Sequence, residues 1–229
     1  MKKILNIMKY AAVSAVVCVT AVSCLEKYPG SAIPVEESMQ TFADAEQHLI
    51  GIYSSLKSSN LYSGSLTLLP DIQADLTMAV LTNNNPHPDI WEWNIRPTNE
   101  EIEGVYGALY SVIGNCNFYL DKIGEVIAAE TDDDNLETLD SYTGEVYAIR
   151  ALCYSELIKC FCEAYPATNN TGNTPDDEAA KNMLGVVLRT KYFEPEPVRR
   201  ASLYDSYQQV LSDLTRAEEL LDDGDDDPT

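Results

Sequence analysis

Residues 132–166 read DDDNLETLDSYTGEVYAIRALCYSELIKCFCEAYP. Leu139, Tyr142, Val146, Ile149, Cys153, Leu157 and Phe161 recur at steps of three and four, the spacing of one helix face. Asp132 to Asp134 put negative charge at the positive end of the helix dipole. Pro166 cannot continue the helix. The stretch predicts one long amphipathic helix whose apolar side must be covered by neighbours.

The same pattern recurs outward from it. Upstream, Thr98-Asn99-Glu100-Glu101 has the form of a capping box. It opens a helix on Ile102, Tyr106, Leu109, Ile113, Cys116, Leu120 and Ile123. Further back, Thr41-Phe42-Ala43-Asp44 is a similar start with Asp in place of Glu, followed by Phe42, Ala45, Leu49, Ile52, Tyr53 and Leu56 at helical spacing. Downstream, Ser202-Leu203-Tyr204-Asp205 caps a fourth helix with Leu203, Tyr207, Val210, Leu211, Leu214, Ala217 and Leu221 facing inward. Residues 60–97 read as irregular, broken by Asn83-Asn84-Asn85-Pro86 and Pro88. Residues 165–201 read as a long loop with Pro166, Gly172, Pro175, Gly185, Pro195 and Pro197, and such a loop in a compact domain is usually functional or disordered. No segment alternates strongly enough to demand a central sheet. The expected fold is all-α: antiparallel hairpins packed like tetratricopeptide repeats, with long irregular loops. The repeat itself is not readable in the residues.

The first residues have a different purpose. Lys2, Lys3 and Lys9 precede AAVSAVVCVTAV, a charged region followed by a short apolar one, too short to span a bilayer. Ala21-Val22-Ser23-Cys24 then puts small residues directly before a cysteine, like the lipobox of bacterial lipoproteins, where the Cys is acylated and becomes the new N-terminus. Ala21 stands where that motif usually has Leu. Ordinary signal cleavage, with Cys24 a bystander, is the competing reading. Residues 1–23 are expected to be a lipoprotein signal peptide, 24–38 a lipid-anchored tether carrying Pro29, Gly30 and Pro34, and 39–229 the helical domain.

Fifteen basic residues stand against 37 acidic, a net charge of −22. A surface of that sign repels nucleic acid, so no nucleic-acid partner is expected. The chain has no G-x-S-x-G, no Gly-rich phosphate loop and no H-E-x-x-H. No carboxylate pair stands out among so many, and Asp222 to Asp227 lacks the spacing of a calcium loop. No catalytic residue, metal site or cofactor is therefore expected. Of the four cysteines after Cys24, Cys153 and Cys160 fall on one helix face. Buried free thiols and a disulfide from Cys116 to a cysteine of the third helix are both open readings. Arg150, in mid-helix, is expected to pair with a helix carboxylate.

Binding residues are the better prospect. Trp91 and Trp93 lie two apart in a breaker-rich stretch, with Asn94 and Arg96 close behind. In an extended segment that spacing puts both indoles on one side. Aromatic faces stack on sugar rings, and Asn and Arg bind hydroxyls. The alternative is that both indoles plug the helical core. Tyr62 and His87 are weaker candidates for the same face.

Several stretches together resemble the N-terminal half of the SusD/RagB family of outer-membrane nutrient-binding lipoproteins. They are Leu25-Glu26-Lys27-Tyr28-Pro29 after the cysteine, AEQHLIGIYSSL at 45–56, the aromatic stretch and helix from Trp91 to Asn117, GEVYAIRALCYSELIKCFCEAY at 144–165, GVVLRT at 185–190, and Val198 to Leu221. The resemblance covers essentially the whole chain, yet the family continues for roughly as long again, so 39–229 is expected to be a truncated N-terminal part. It implies an outer-membrane, surface-exposed lipoprotein that binds an oligosaccharide or other nutrient and works with a TonB-dependent, SusC-like channel. A lipid-anchored scaffold that binds only protein and a carbohydrate-active enzyme are the rival readings.

Overall fold

The computed structural model describes residues 38–77, 87–168, 174–193 and 199–221. Residues from Met39 onward form one compact unit. It is mostly helical: α1 (Phe42–Leu56), α2 (Ser65–Gln73), α3 (Pro88–Trp91), α4 (Glu100–Ala129), α5 (Asp133–Phe161), α6 (Asp177–Lys181) and α7 (Leu203–Leu221), with one two-stranded antiparallel ribbon of β1 (Leu184–Val187) and β2 (Arg200–Ser202). Among the described residues no helix is long and apolar enough to cross a membrane. Cys24 and residues 1–23, where the signal peptide is expected, lie outside the described residues.

Three of the capped starts form as their residues dictate; at α7, Ser202 Oγ accepts from the Asp205 N–H at 3.0 Å and donates to Asp205 Oδ2 at 2.7 Å. In α1, Thr41 Oγ1 accepts from the Asp44 N–H at 3.3 Å while Asp44 Oδ2 accepts from the Thr41 N–H at 2.9 Å, a reciprocal capping box. The Thr41 hydroxyl, and then the Gln40 N–H, hold the Asp44 carboxyl below its ordinary value. In α5, Asp132 accepts from the backbone of Asp134 and Asn135. The box expected at Thr98–Glu101 does not form. Asn99 is the N-cap of α4, and its side-chain oxygen turns away to accept from the Arg96 N–H at 2.6 Å.

Helices α4 and α5 are joined by only three residues, so they run antiparallel. Arg150 of α5 meets Asn117 of α4, and Phe161 meets Tyr106. Helix α7 returns antiparallel along α5, with Tyr207 beside Tyr165 at one end and Leu220 and Leu221 against Gly144 at the other. A side chain at Gly144 would collide with those leucines, so glycine sets how closely α5 and α7 approach. Val105, Leu109, Val112, Ile113, Cys116, Tyr119, Leu139, Val146, Cys153, Tyr154, Leu157 and Leu203 form the core.

Four expectations are corrected. The 60–97 region is not wholly irregular, because α2 forms there with Pro70 inside it. The 165–201 region is more than a loop: it holds α6, β1 and β2. Of the positions expected inward on α1 and α7, Tyr53, Leu211, Leu214 and Leu221 are exposed. Cys153 and Cys160 do not share a buried face, since Cys160 is exposed where α5 ends.

Candidate functional site

The tryptophans sit where α3 ends: Trp91 is its last residue and Trp93 lies in the tight loop that leads to α4. Helix α3 is one turn, with Pro88 in its first position, and its buried residue is Ile90. Ile90 anchors the turn and leaves the indoles outside: Trp91 is 36% exposed and Trp93 61%. They do not plug the core. Nor is the segment extended. The Asn94 N–H donates to the Asp89 carbonyl at 2.8 Å and the Trp93 N–H to the Ile90 carbonyl at 3.2 Å. These two bonds define a Schellman helix end, whose next-to-last position takes the left-handed conformation and is usually glycine. Trp93 occupies it, with φ 55°.

Asp89 closes the loop. Its two carboxylate oxygens accept from Asn94 Nδ2 at 3.1 Å and Asn99 Nδ2 at 3.2 Å. Asn94 Oδ1 in turn accepts from Arg96 Nε at 3.0 Å. Asn94 and Arg96 are thus occupied in shaping the loop beneath Trp93. His87 contacts Glu101 on α4 at 3.1 Å. The Glu101 carboxyl lies below its ordinary value, held there by its own backbone N–H and then by His87. Tyr62 donates to Glu156 on α5 at 3.2 Å, so its hydroxyl is not directed to the tryptophans. The structure brings Trp91, Trp93, Asn94 and Arg96 together in one loop and gives Tyr62 and His87 other tasks.

Beside that loop lies a cleft of about 330 Å³. Ile90 and Ile95 form one wall, α2 a second, and Ile102, Val105 and Phe161 the floor and far side. Sequence reading missed it, because it hangs on α2. A pocket of this kind, concave, mostly apolar and next to exposed aromatics, is where small ligands settle.

A second polar cluster is structural. Arg150 grips Asp213 of α7 through Nε at 2.8 Å and Nη2 at 2.6 Å, and donates from Nη1 to Asn117 Oδ1 at 2.8 Å. Burial pulls the Arg150 guanidinium down, but the Asp213 hydrogen bonds and charge more than offset it and hold its pKa above the ordinary value. Both partners are buried, so the expected ion pair exists and is internal. The four described cysteines are free. Burial pushes the Cys153 thiol up to about 12 and the Cys116 thiol higher still, which keeps both protonated and unreactive. Among the described residues no group of His, Cys, Asp and Glu could hold a metal ion.

Stacked antiparallel helical hairpins, with a hydrogen-bonded aromatic loop next to an apolar cleft, define an α-helical repeat-like scaffold. Residues 25–227 match the SusD-like family described as starch-binding associating with outer membrane, and the chain belongs to that family. It is 22% identical over 218 residues to SusD-like protein P2 of Formosa agariphila, covering 94% of this chain and 38% of that protein. It is 29% identical over 160 residues to SusD-like protein P25 of the same organism, covering 64% and 28%. The chain thus spans well under half the length of the curated relatives it matches. Among solved structures, a SusD homologue from Bacteroides thetaiotaomicron superposes with a TM-score of 0.64 at 21% identity, covering 85% of this chain and 33% of that one. A SusD superfamily protein from Bacteroides vulgatus gives 0.63 at 20%, covering 80% and 38%. At these identities the likeness establishes the fold.

Proposed function

We propose that this chain is the N-terminal, lipid-anchored part of an outer-membrane protein that captures an oligosaccharide or other nutrient and works with a TonB-dependent, SusC-like channel. Family membership supports the carbohydrate-binding role. Trp93 carries the reading on this chain's own residues: a bulky aromatic in a glycine conformation is held, by hydrogen bonds from Asp89 outward, with its indole in solvent. Such strain persists where the surroundings impose it, and it clusters at ligand clamps. An indole fixed in this way presents a flat apolar face to a sugar ring with little ordering left to do. A scaffold binding only protein has no need of it.

The anchor is read from Ala21 to Cys24, and the family match begins one residue after that cysteine. Cys24→Ala should release the protein from membranes or leave an unprocessed precursor. Wild-type fractionation and migration of that variant would defeat the lipoprotein reading. Affinity electrophoresis in starch and other polysaccharides tests the site: Trp93→Ala should weaken retardation roughly two- to tenfold, the worth of one aromatic stack. Retardation unchanged in every polysaccharide that the wild type binds would remove Trp93 from the site. Release of reducing ends during the same incubation would instead favour the enzyme reading.

A further inference from the structure

We propose that the cleft beside Trp93 receives a neutral aromatic ring carried by the glycan, so that the ligand is an aryl-substituted saccharide. The inference rests on the glycan reading for the sugar half of the ligand alone. The cleft's chemistry carries the rest. Its lining is dominated by Leu66, Leu69, Ile90, Ile95, Val105 and Phe161. Against these stand few polar side chains, chiefly Ser65 and Gln73 of α2. A hexose carries a hydroxyl on most ring carbons, and each one buried without a partner costs about 1–3 kcal/mol. So largely apolar a wall favours a group that has nothing to satisfy over a bare sugar. Charge points the same way. The cation at the edge, Lys159, lies 2.7 Å from Glu156 and is neutralised there, so nothing in the cleft selects an anion. Size narrows the choice: 330 Å³ is at the lower end of the range that holds small ligands, about 300–1,000 Å³. That suits one ring and its substituents. Position completes the case. Ile90 and Ile95, which line the cleft, bracket Trp91 and Trp93 on one short hydrogen-bonded segment, so the cleft wall and the exposed indoles belong to the same turn.

Cys160 lines the cleft and is exposed, which supplies a reporter. The test uses the full chain with Cys162→Ser, leaving Cys160 as the accessible described thiol, and follows its alkylation by iodoacetamide. Phenyl β-D-glucoside should slow alkylation at least threefold, and methyl β-D-glucoside should not. Ser65→Phe, which fills the cleft, should abolish protection. Ile95→Asn changes an exposed wall residue and should weaken protection even if the filled variant fails to fold. Equal rates with both glucosides, or protection untouched by Ile95→Asn, would overturn the proposal. Trp93→Ala separates the two readings. If phenyl glucoside protects Cys160 equally with and without Trp93, and no polysaccharide retards the protein, the cleft stands and the glycan reading falls. If polysaccharides bind through Trp93 while phenyl glucoside gives no protection, the reverse holds.

Discussion

Arg150 and Asp213 show how much one residue can hold. The guanidinium fork uses Nε and Nη2 on Asp213 and Nη1 on Asn117, while Gln209 Nε2 adds a third donor to the Asp213 carboxylate at 2.9 Å. A buried pair of this kind is near break-even against apolar residues of the same size, because desolvation cancels most of the attraction. Breaking it is another matter, since the survivor is left charged in the core. Asp213→Ala should therefore cost about 3–5 kcal/mol, and Arg150→Met with Asp213→Leu distinctly less than that single change. Urea titrations of the three proteins check this, and a double variant worse than Asp213→Ala would mean that the pair stabilises outright. Trp93 is the opposite case, a residue that costs stability. Trp93→Ala and Trp93→Gly both delete the indole, but only glycine takes φ 55° freely. The glycine variant should be the more stable of the two by about 1 kcal/mol. Equal melting temperatures would show that the loop does not impose this strain.

At the scale of elements, the end of β1 and the segment after it are held by side chains as well as by the β2 pairing. Tyr110 Oη accepts from the Val187 N–H at 3.0 Å and donates to the Val187 carbonyl at 2.8 Å. Tyr154 Oη does the same at Arg189, at 2.9 and 2.5 Å. Asn117 Nδ2 donates to the Arg189 carbonyl at 2.8 Å, and Ser206 Oγ accepts from the Val186 N–H at 3.0 Å. Gly185 is required beside these contacts because any Cβ there would run into Ser206 Oγ and the Ser202 carbonyl. Tyr154→Phe removes the acceptor of the Arg189 N–H and one of the two donors to its carbonyl, and should cost about 1–3 kcal/mol. Amide exchange at residues 187–191 should accelerate more than exchange in α4. Uniform acceleration along the chain would refute this anchoring role. None of it was legible in the sequence, where Tyr154 reads as an ordinary polar-tipped aromatic next to an apolar stripe. The four main helices were legible because their apolar positions repeat every three or four residues and the other three all pack against α5. Helix α2 was hidden by Pro70 and its own shortness. The ribbon was hidden because β1 and β2 pair across a gap in sequence that no periodicity spans. At the site, the exposure of Trp93 follows from Asp89 and the helix end at Asn94, and neither is visible until the turn is built. Expecting an extended segment there was reasonable from Pro88 and the two-residue spacing, but α3 bends it.

At the scale of the whole molecule, one helix face stands open. Val210 and Ala217 of α7 are buried against α5, whereas Leu211, Leu214 and Leu221 are 54%, 46% and 42% exposed. Leu211 and Leu214 sit one turn apart on one side of the helix, and the strip runs on two turns to Leu221, whose inner edge meets Gly144 of α5. In stacked hairpins each helix is covered by a neighbour, and an uncovered apolar face invites association. Opposing this is a net charge of −22, which drives identical copies apart. The two forces respond differently to salt. Screening shortens the reach of the charge to about 8 Å at physiological ionic strength and leaves apolar attraction in place. The full chain should therefore associate with itself more strongly as salt rises. Leu211→Glu with Leu214→Glu should restore the monomer at every salt concentration while shifting stability by no more than about 0.5 kcal/mol per site, as exposed substitutions do. Sedimentation velocity in low and high salt, with a urea titration of each protein, reads both quantities. Association that weakens with salt would assign it to paired charges instead of the leucine strip. A large loss of stability in the glutamate variant would show that those leucines are covered within a single chain.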